Sequence, residues 1–106
     1  MTTVIRLTPE ELKAKREQDP GILLDVRTPA EYQAGHVQGA SNVDFLGGQF
    51  AAEFASYDKS KTYYLYCASG NRSGKAAQMM LEAGFEKAYN AGGFAELAAA
   101  GFPVEY

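Results

Sequence analysis

Two short segments of the chain, residues 22–26 and 62–66, are almost continuously apolar. The first is Ile-Leu-Leu-Asp-Val and the second is Thr-Tyr-Tyr-Leu-Tyr. A strand with one face in water would alternate apolar and polar residues, so these two strands are expected to be covered on both faces. Burial of this kind is typical of parallel sheets, in which helices pack on each side. The pattern therefore favours a sheet between layers of helices.

Two helix-start patterns lie beside these strands. Thr8-Pro9-Glu10-Glu11 and Thr28-Pro29-Ala30-Glu31 each combine a capping threonine, a proline in the first turn and a glutamate three residues after the threonine. Threonine and glutamate at this spacing form a capping box, in which each side chain bonds the backbone N–H group of the other residue. We therefore expect one helix that ends before Asp19 and a short one that ends near Ala34.

The remaining elements continue the alternation of strands and helices. The patterns predict further strands over 4–7, 39–43 and 87–90, helices over 49–57, 74–83 and 93–99, and an extended tail over 101–104. This order favours an α/β fold with a mostly parallel central sheet of about five strands. The length of 106 residues fits a single domain, which we expect to span residues 1–106.

Charge and hydropathy argue against several function classes. The net charge is −3 and no run of lysine or arginine occurs, so we expect no nucleic-acid partner. No apolar run approaches the ~20 residues that span a bilayer, so we expect no membrane association. The N-terminal residues lack the basic and then apolar order of a signal peptide, and a cytoplasmic location is expected.

Cys67 is the only cysteine of the chain, and His36 is its only histidine. An internal disulfide is therefore impossible, and no metal site is expected. Cys67 directly follows the strand predicted over 62–66 and precedes a loop and a helix. Ligands of α/β sheets bind outside the carboxyl ends of the strands. Cys67 is thus either a nucleophile at such a site or a small apolar residue of the core.

The residues after Cys67 favour the nucleophile. Successive N–H groups of a tight loop, together with the positive end of the following helix, stabilise a thiolate over a thiol. Gly70 permits the unusual backbone dihedrals that such a loop needs. Arg72 is expected to turn toward the centre of the loop or to clamp its base. Ser73 is expected to cap the helix or to donate a hydrogen bond inward.

Three segments of the chain resemble, in order, the motifs of single-domain rhodaneses, a family of sulfurtransferases. They are Leu23-Leu24-Asp25-Val26-Arg27 with Glu31, Tyr32, Gly35, His36, Gly39 and Ala40; then Cys67 to Ser73; then Gly92-Gly93 through Gly101-x-Pro103-Val104. The resemblance implies a three-layer α/β/α fold and catalysis by Cys67. It also implies a substrate-binding loop made of Ala68, Ser69, Gly70, Asn71, Arg72 and Ser73.

The resemblance further implies a reaction. The Cys67 thiolate takes the outer sulfur of a donor, such as thiosulfate or a persulfide. A Cys67 persulfide then passes this sulfur to cyanide, to a thiol or to a protein acceptor, without a metal or an organic cofactor. Ala68 stands where many members carry a basic residue, so a weak hold on dianionic thiosulfate is expected. The sequence leaves the natural donor and acceptor and the oligomeric state open.

The length of the loop separates sulfur chemistry from phosphate chemistry. Four residues lie between Cys67 and Arg72, whereas related phosphatases of this fold carry a Cys-x5-Arg loop. The shorter loop suits a single sulfur atom and argues against a phosphatase or an arsenate reductase. The other alternative is a non-catalytic binding or regulatory module, although inactive members of the family usually lose the cysteine.

Four further residues have mainly structural interpretations. Asp25 and Arg27 are expected to form an ion pair near the end of a strand, since buried charges usually pair. Alternatively they orient the active-site loop, with Arg27 facing the pocket and binding a dianion. Glu31 is expected to complete the cap of its helix. The resemblance implies a structural hydrogen-bonding role for His36.

Overall fold

The two continuously apolar segments are the central strands of a parallel sheet in the computed structural model, which describes residues 2–106. The strands are β1 (Ile22–Asp25), β2 (His36–Val37), β3 (Ser41–Asn42), β4 (Thr62–Cys67), β5 (Lys87–Gly93) and β6 (Val104–Glu105). The helices are α1 (Pro9–Gln18), α2 (Pro29–Gln33), α3 (Gln49–Glu53), α4 (Asn71–Glu82) and α5 (Phe94–Ala99). A 3-10 turn at Phe54–Ser56 follows α3.

The central sheet has the strand order β3-β1-β4-β5, and all of its strands are parallel. Every residue of β4 is buried, as expected for a strand covered on both faces. Tyr63, Leu65 and Cys67 pack on one face with α3 and α4. Tyr64 and Tyr66 pack on the other face with α1 and α5. The three-layer α/β/α fold with a mostly parallel sheet is therefore confirmed.

Both predicted capping boxes are present. The Thr8 hydroxyl accepts the Glu11 N–H group at 3.1 Å, and the Glu11 carboxylate accepts the Thr8 N–H group at 2.8 Å. The same two bonds join Thr28 and Glu31, at 3.3 and 3.0 Å. Each box satisfies two N–H groups that a helix start otherwise leaves unpaired, which fixes where α1 and α2 begin.

The first predicted strand is nearly absent from the described chain. Residues 4–7 contribute one parallel bridge, between Arg6 and Asn90, so the central sheet has four strands with this bridge at its edge. The strand predicted over 39–43 is reduced to Ser41–Asn42, while the one predicted over 87–90 extends to Gly93. Strand ends depend on the neighbouring strand as well as on the local sequence, which explains these shifts.

The extended tail forms a second, small sheet that the sequence did not reveal. β6 pairs antiparallel with β2, and Val104 lies opposite Val37. Strands of two residues carry no period, and their partners are far apart in the chain, so no local pattern indicates them. Within residues 2–106, the helices are all too short or too polar to cross a membrane.

Candidate active site

Cys67 is the last residue of β4, at the carboxyl edge of the central sheet. The loop after it is short because α4 begins at Asn71 and not at residue 74 as predicted. Gly70 is the N-cap residue of α4 and has a φ of +99°. This left-handed backbone suits glycine and turns the chain directly from strand into helix. Ser73 consequently lies in the first turn of α4 and does not cap the helix, which leaves the second of its two predicted roles, a hydrogen bond directed inward.

The sulfur of Cys67 is surrounded by hydrogen-bond donors. Cys67 is fully buried, and the Gly70 N–H group donates to its Sγ atom at 3.0 Å. The Ser73 hydroxyl lies 3.4 Å from the same sulfur, in agreement with the inward hydrogen bond that the sequence predicts as one of two roles for Ser73. The positive end of α4, a helix of 12 residues, adjoins this position. The sulfur therefore lies where a negative charge is stabilised.

Burial and hydrogen bonding act in opposite directions on the pKa of the Cys67 thiol. Burial raises the pKa because the thiolate loses its hydration. The Ser73 hydroxyl and the N–H groups of Ser73, Ser69 and Gly70 lower the pKa because they stabilise the negative sulfur. The hydrogen bonds outweigh burial, and the pKa lies below that of an ordinary thiol. The geometry thus favours the reactive form of the cysteine.

Arg72 forms a bidentate ion pair with Glu31 between α4 and α2. Its two terminal nitrogens lie 2.8 and 3.1 Å from the two carboxylate oxygens of Glu31. The hydrogen bond from Arg72 is the main reason that the pKa of Glu31 falls to about 2. The pKa of Arg72 is raised, chiefly by the same hydrogen bond and further by the negative charge of Cys67. Glu31 therefore both caps α2 and anchors Arg72 at the base of the loop.

Asp25 and Arg27 form the expected ion pair. Both residues are buried, and Nη2 of Arg27 lies 2.7 Å from Oδ2 of Asp25. The same nitrogen donates to the Gly35 carbonyl at 2.6 Å, and the guanidinium lies 4.4 Å from the centre of the Phe94 ring. These contacts brace the end of β1 against the segment that follows α2. These contacts match the structural interpretation of the pair, and donor binding by Arg27 stays the alternative prediction.

Asn90 of β5 contacts the loop, although the sequence did not single it out. Its Nδ2 atom donates to the Gly70 carbonyl at 2.9 Å, and its Oδ1 atom lies 2.7 Å from the Ser73 hydroxyl oxygen. A polar residue near the carboxyl end of a buried strand is a recognisable pattern, because ligands of α/β sheets bind at that edge. This pattern would have identified Asn90 as a candidate.

Arg6 is a second residue that the sequence did not single out. It donates to the Ser69 carbonyl at 3.3 Å and pairs with Glu96 at 2.7 Å. Its guanidinium occupies the space beside Gly70, where an added Cβ atom would lie 2.5 Å from Nη1. No sequence pattern identifies Arg6, because the contact depends on the bridge between residues 6 and 90. Two arginines, Arg6 and Arg72, therefore lie at the loop, and each pairs with a carboxylate.

The part of the loop that faces solvent is small and uncharged. Ala68, Ser69 and Asn71 are exposed, whereas Gly70 and Ser73 are buried beside the sulfur. His36 lies away from the sulfur's hydrogen bonds: its Nδ1 atom is 2.9 Å from the Tyr32 carbonyl oxygen, consistent with a structural role. Within residues 2–106, no group of His, Cys, Asp and Glu side chains is arranged to hold a metal ion.

A family model for the rhodanese-like domain matches residues 8–100 of the chain. This chain belongs to the rhodanese-like domain family. Thiosulfate sulfurtransferase PspE of Escherichia coli K12 is 39% identical over 75 residues, which are 71% of this chain and 72% of PspE. Thiosulfate sulfurtransferase GlpE of Pseudomonas putida F1 is 30% identical over 106 residues, which are 99% of this chain and 94% of GlpE.

Solved structures agree with this assignment. The crystal structure of a rhodanese-like domain protein from Staphylococcus aureus has a TM-score of 0.79 to this chain at 28% identity. The alignment covers 97% of this chain and 100% of the other. The family predicted from three short motifs is therefore confirmed by the match over residues 8–100 and by the fold.

Proposed function

We propose that this rhodanese-like domain is a sulfurtransferase that carries sulfur as a persulfide on Cys67. The main support is the hydrogen bond from the Gly70 N–H group to the Cys67 sulfur at 3.0 Å. A thiolate held at the start of a helix is nucleophilic at neutral pH. The relatives PspE and GlpE are named thiosulfate sulfurtransferases, which supports the same class of reaction.

The proposed reaction has two displacement steps. The Cys67 thiolate attacks the outer sulfur of the donor; with thiosulfate, the S–S bond breaks and sulfite leaves with the bonding electrons. The acceptor then attacks the terminal sulfur of the Cys67 persulfide, and the Cys67 thiolate leaves. Cyanide as acceptor gives thiocyanate, and a thiolate gives a new persulfide. Neither step passes electrons to an outside carrier, so the proposal includes no cofactor.

The hydrogen bonds to the sulfur serve both steps. In the first step they stabilise the attacking thiolate, and in the second they stabilise the same thiolate as the leaving group. Sulfur chemistry is also supported by the short loop, in which four residues separate Cys67 from Arg72. A phosphate would need donors for several oxygen atoms, whereas the Gly70 N–H group and Ser73 converge on one sulfur.

The proposed partners are a small sulfur donor and a nucleophilic acceptor. Because Cys67 is the only cysteine, no second thiol of the chain can take its sulfur, and the acceptor is an outside thiol or protein. Arg6 and Arg72 both pair with carboxylates, so persulfides compete well with dianionic thiosulfate as donors. We place the reaction in the cytoplasm, where thiols stay reduced. We assign it to a single domain over residues 1–106.

Transfer of sulfur from thiosulfate to cyanide, measured as thiocyanate, tests the proposal. We expect ping-pong kinetics for the wild type. Cys67→Ala should lose the activity while keeping its far-UV circular dichroism, and Ser56→Ala, an exposed change in the 3-10 turn, should keep both. Wild-type turnover by Cys67→Ala would overturn the proposal. Rapid hydrolysis of a phosphotyrosine analogue without persulfide formation would instead support a phosphatase.

A further inference from the structure

Asn90 is a buried amide between β5 and the active-site loop. It is 6% exposed; its Nδ2 atom donates to the Gly70 carbonyl at 2.9 Å and its Oδ1 atom accepts the Gly92 N–H group at 3.0 Å. A carbonyl only accepts and an N–H group only donates, so these two bonds fix the orientation of the amide. Gly74 leaves the space for it, since an added Cβ atom would lie 3.1 Å from Nδ2.

The Ser73 hydroxyl has one proton and two acceptors within reach. Its Oγ atom lies 2.7 Å from Asn90 Oδ1 and 3.4 Å from Cys67 Sγ. Because Oδ1 has no proton, the short contact requires the Ser73 proton to point toward Asn90. A lone pair of Oγ then faces the sulfur, which suits a Cys67 thiol whose S–H group donates to Ser73. A Cys67 thiolate has no proton of its own, so the Ser73 hydroxyl must donate its hydrogen bond to the sulfur instead of to Asn90.

We propose that Asn90 is a positioning residue of the active site, because it holds the Gly70 carbonyl and competes with the Cys67 sulfur for the Ser73 proton. When the thiolate forms, the hydroxyl proton turns from Asn90 to the sulfur. Asn90 Oδ1 keeps the Gly92 N–H group as a partner in both states. Asn90 thus determines how strongly Ser73 supports the thiolate. The catalytic consequence rests on the proposed function, in which this thiolate both attacks and leaves.

Three ion pairs lie on the elements around the loop, and Arg72, a member of one of them, interacts electrostatically with the Cys67 sulfur. The pairs are Arg72 of α4 with Glu31 of α2, Arg27 with Asp25 at the end of β1, and Arg6 with Glu96 of α5. Their fields are a common background to any change at residue 90. A single substitution of Asn90 would mix the competition for the proton with changes in charge and loop position, so the test compares the same Ser73 substitution in several backgrounds.

The competition between Asn90 and the Cys67 sulfur for the Ser73 hydrogen bond is measured by the effect of Ser73→Ala on the pH dependence of Cys67 alkylation. Iodoacetamide reacts with the thiolate, and the chain has one cysteine, so the midpoint of rate against pH reports on Cys67 alone. Asn90→Leu removes the competing acceptor, and Asn90→Asp makes it a stronger, charged acceptor. We expect Ser73→Ala to raise the midpoint most in Asn90→Leu, less in the wild type and least in Asn90→Asp. Couplings between contacting residues predict differences of about 0.4 to 2 pH units.

Shifts of equal size in the three backgrounds, or shifts in the reverse order, would overturn the proposal. Each background is its own reference, so the added carboxylate and any movement of the loop cancel. If Asn90→Asp does not fold, Asn90→Leu against the wild type still decides the question. Alkylation involves no sulfur transfer. Ordered shifts in a chain that forms no persulfide would keep the role of Asn90 and reject only the sulfurtransferase proposal.

Discussion

Replacing Asp25 by alanine leaves the Arg27 guanidinium buried without its counter-ion. Asp25 is 0% exposed and Arg27 is 5% exposed. The carboxylate accepts the Arg27 backbone N–H group at 2.9 Å, Nε at 3.0 Å and Nη2 at 2.7 Å. After the substitution, the charge keeps the Gly35 carbonyl and the faces of the Phe94 and Tyr66 rings. These neutral contacts do not compensate a buried cation.

The burial of this ion pair determines how much unfolding free energy Asp25→Ala should lose. Removing one partner of a buried ion pair costs about 3–5 kcal/mol, from a total unfolding free energy of about 5–15 kcal/mol. The melting temperature should fall by at least about 12 °C, since 1 kcal/mol corresponds to about 4–8 °C for domains of this size. Asp25→Ala combined with Arg27→Met removes the unpaired charge as well. We expect this double variant to recover part of the stability.

Urea unfolding measures these losses as shifts in the midpoint at an unchanged m value. Glu17→Ala removes an exposed carboxylate from α1 and, as the control, should stay within about 0.5 kcal/mol of the wild type. A loss below about 1 kcal/mol for Asp25→Ala, or a double variant less stable than the single one, would refute the reasoning. Thiocyanate formation by the folded double variant should keep its KM for thiosulfate. A raised KM would assign Arg27 to donor binding.

Three further predictions concern the loop and its anchor. Glu31→Gln frees the Arg72 guanidinium while keeping a side chain that can cap α2, so kcat/KM for thiosulfate should rise a few-fold. The control, Glu82→Gln on the exposed surface of α4, should leave kcat/KM unchanged. A fall of kcat/KM in Glu31→Gln would contradict this prediction. The pKa of Glu31 is lowered from 4.5 to about 2, chiefly by the hydrogen bond from Arg72. Its contribution to stability is therefore complete above about pH 4.5 and lost toward pH 2, so urea unfolding of wild type and Glu31→Gln should converge over that window. Gly70→Ala forces a Cβ atom onto the Arg6 guanidinium at a backbone φ of +99°. The rate of thiocyanate formation should therefore fall strongly, while the free energy of unfolding changes much less. Unchanged activity would argue against the role of the Gly70 N–H group.

The features that the sequence predicted correctly depend on short stretches of chain. Continuous apolar residues identified β1 and β4, because burial on both faces removes the need for alternation. The two capping boxes identified the starts of α1 and α2, because each is closed within four residues. Cys67 was placed at the carboxyl end of its strand for the same reason: the strand, the loop and the helix are contiguous in the chain.

The start of α4 was predicted too late because its first turn is polar. Asn71, Arg72 and Ser73 resemble loop residues, but the left-handed Gly70 already directs the chain into the helix. The first turn of a helix has free N–H groups, and here some of them face the sulfur. Ser73, one of the polar residues that obscured the helix in the sequence, is thus a residue that contacts the Cys67 sulfur.

Contacts between distant segments were beyond the reach of the sequence. Asn90 reaches Gly70 because β5 pairs with β4, and Arg6 reaches Ser69 because its segment bridges to β5. Neither pairing has a local pattern that fixes its register. The sequence therefore indicated the cysteine at the carboxyl end of β4 and the loop that follows it, but not which side chains hold that loop in place.

Intact-mass spectrometry after treatment with thiosulfate, followed by peptide mapping, tests the central claim most directly. Because the chain has a single cysteine, a covalently held sulfur can be assigned without ambiguity. We predict a gain of about 32 Da on the Cys67 peptide, lost on addition of cyanide with release of thiocyanate, and no gain in Cys67→Ser. An unmodified wild-type chain that still produces thiocyanate, or an equal gain in Cys67→Ser, would contradict a persulfide carried on Cys67.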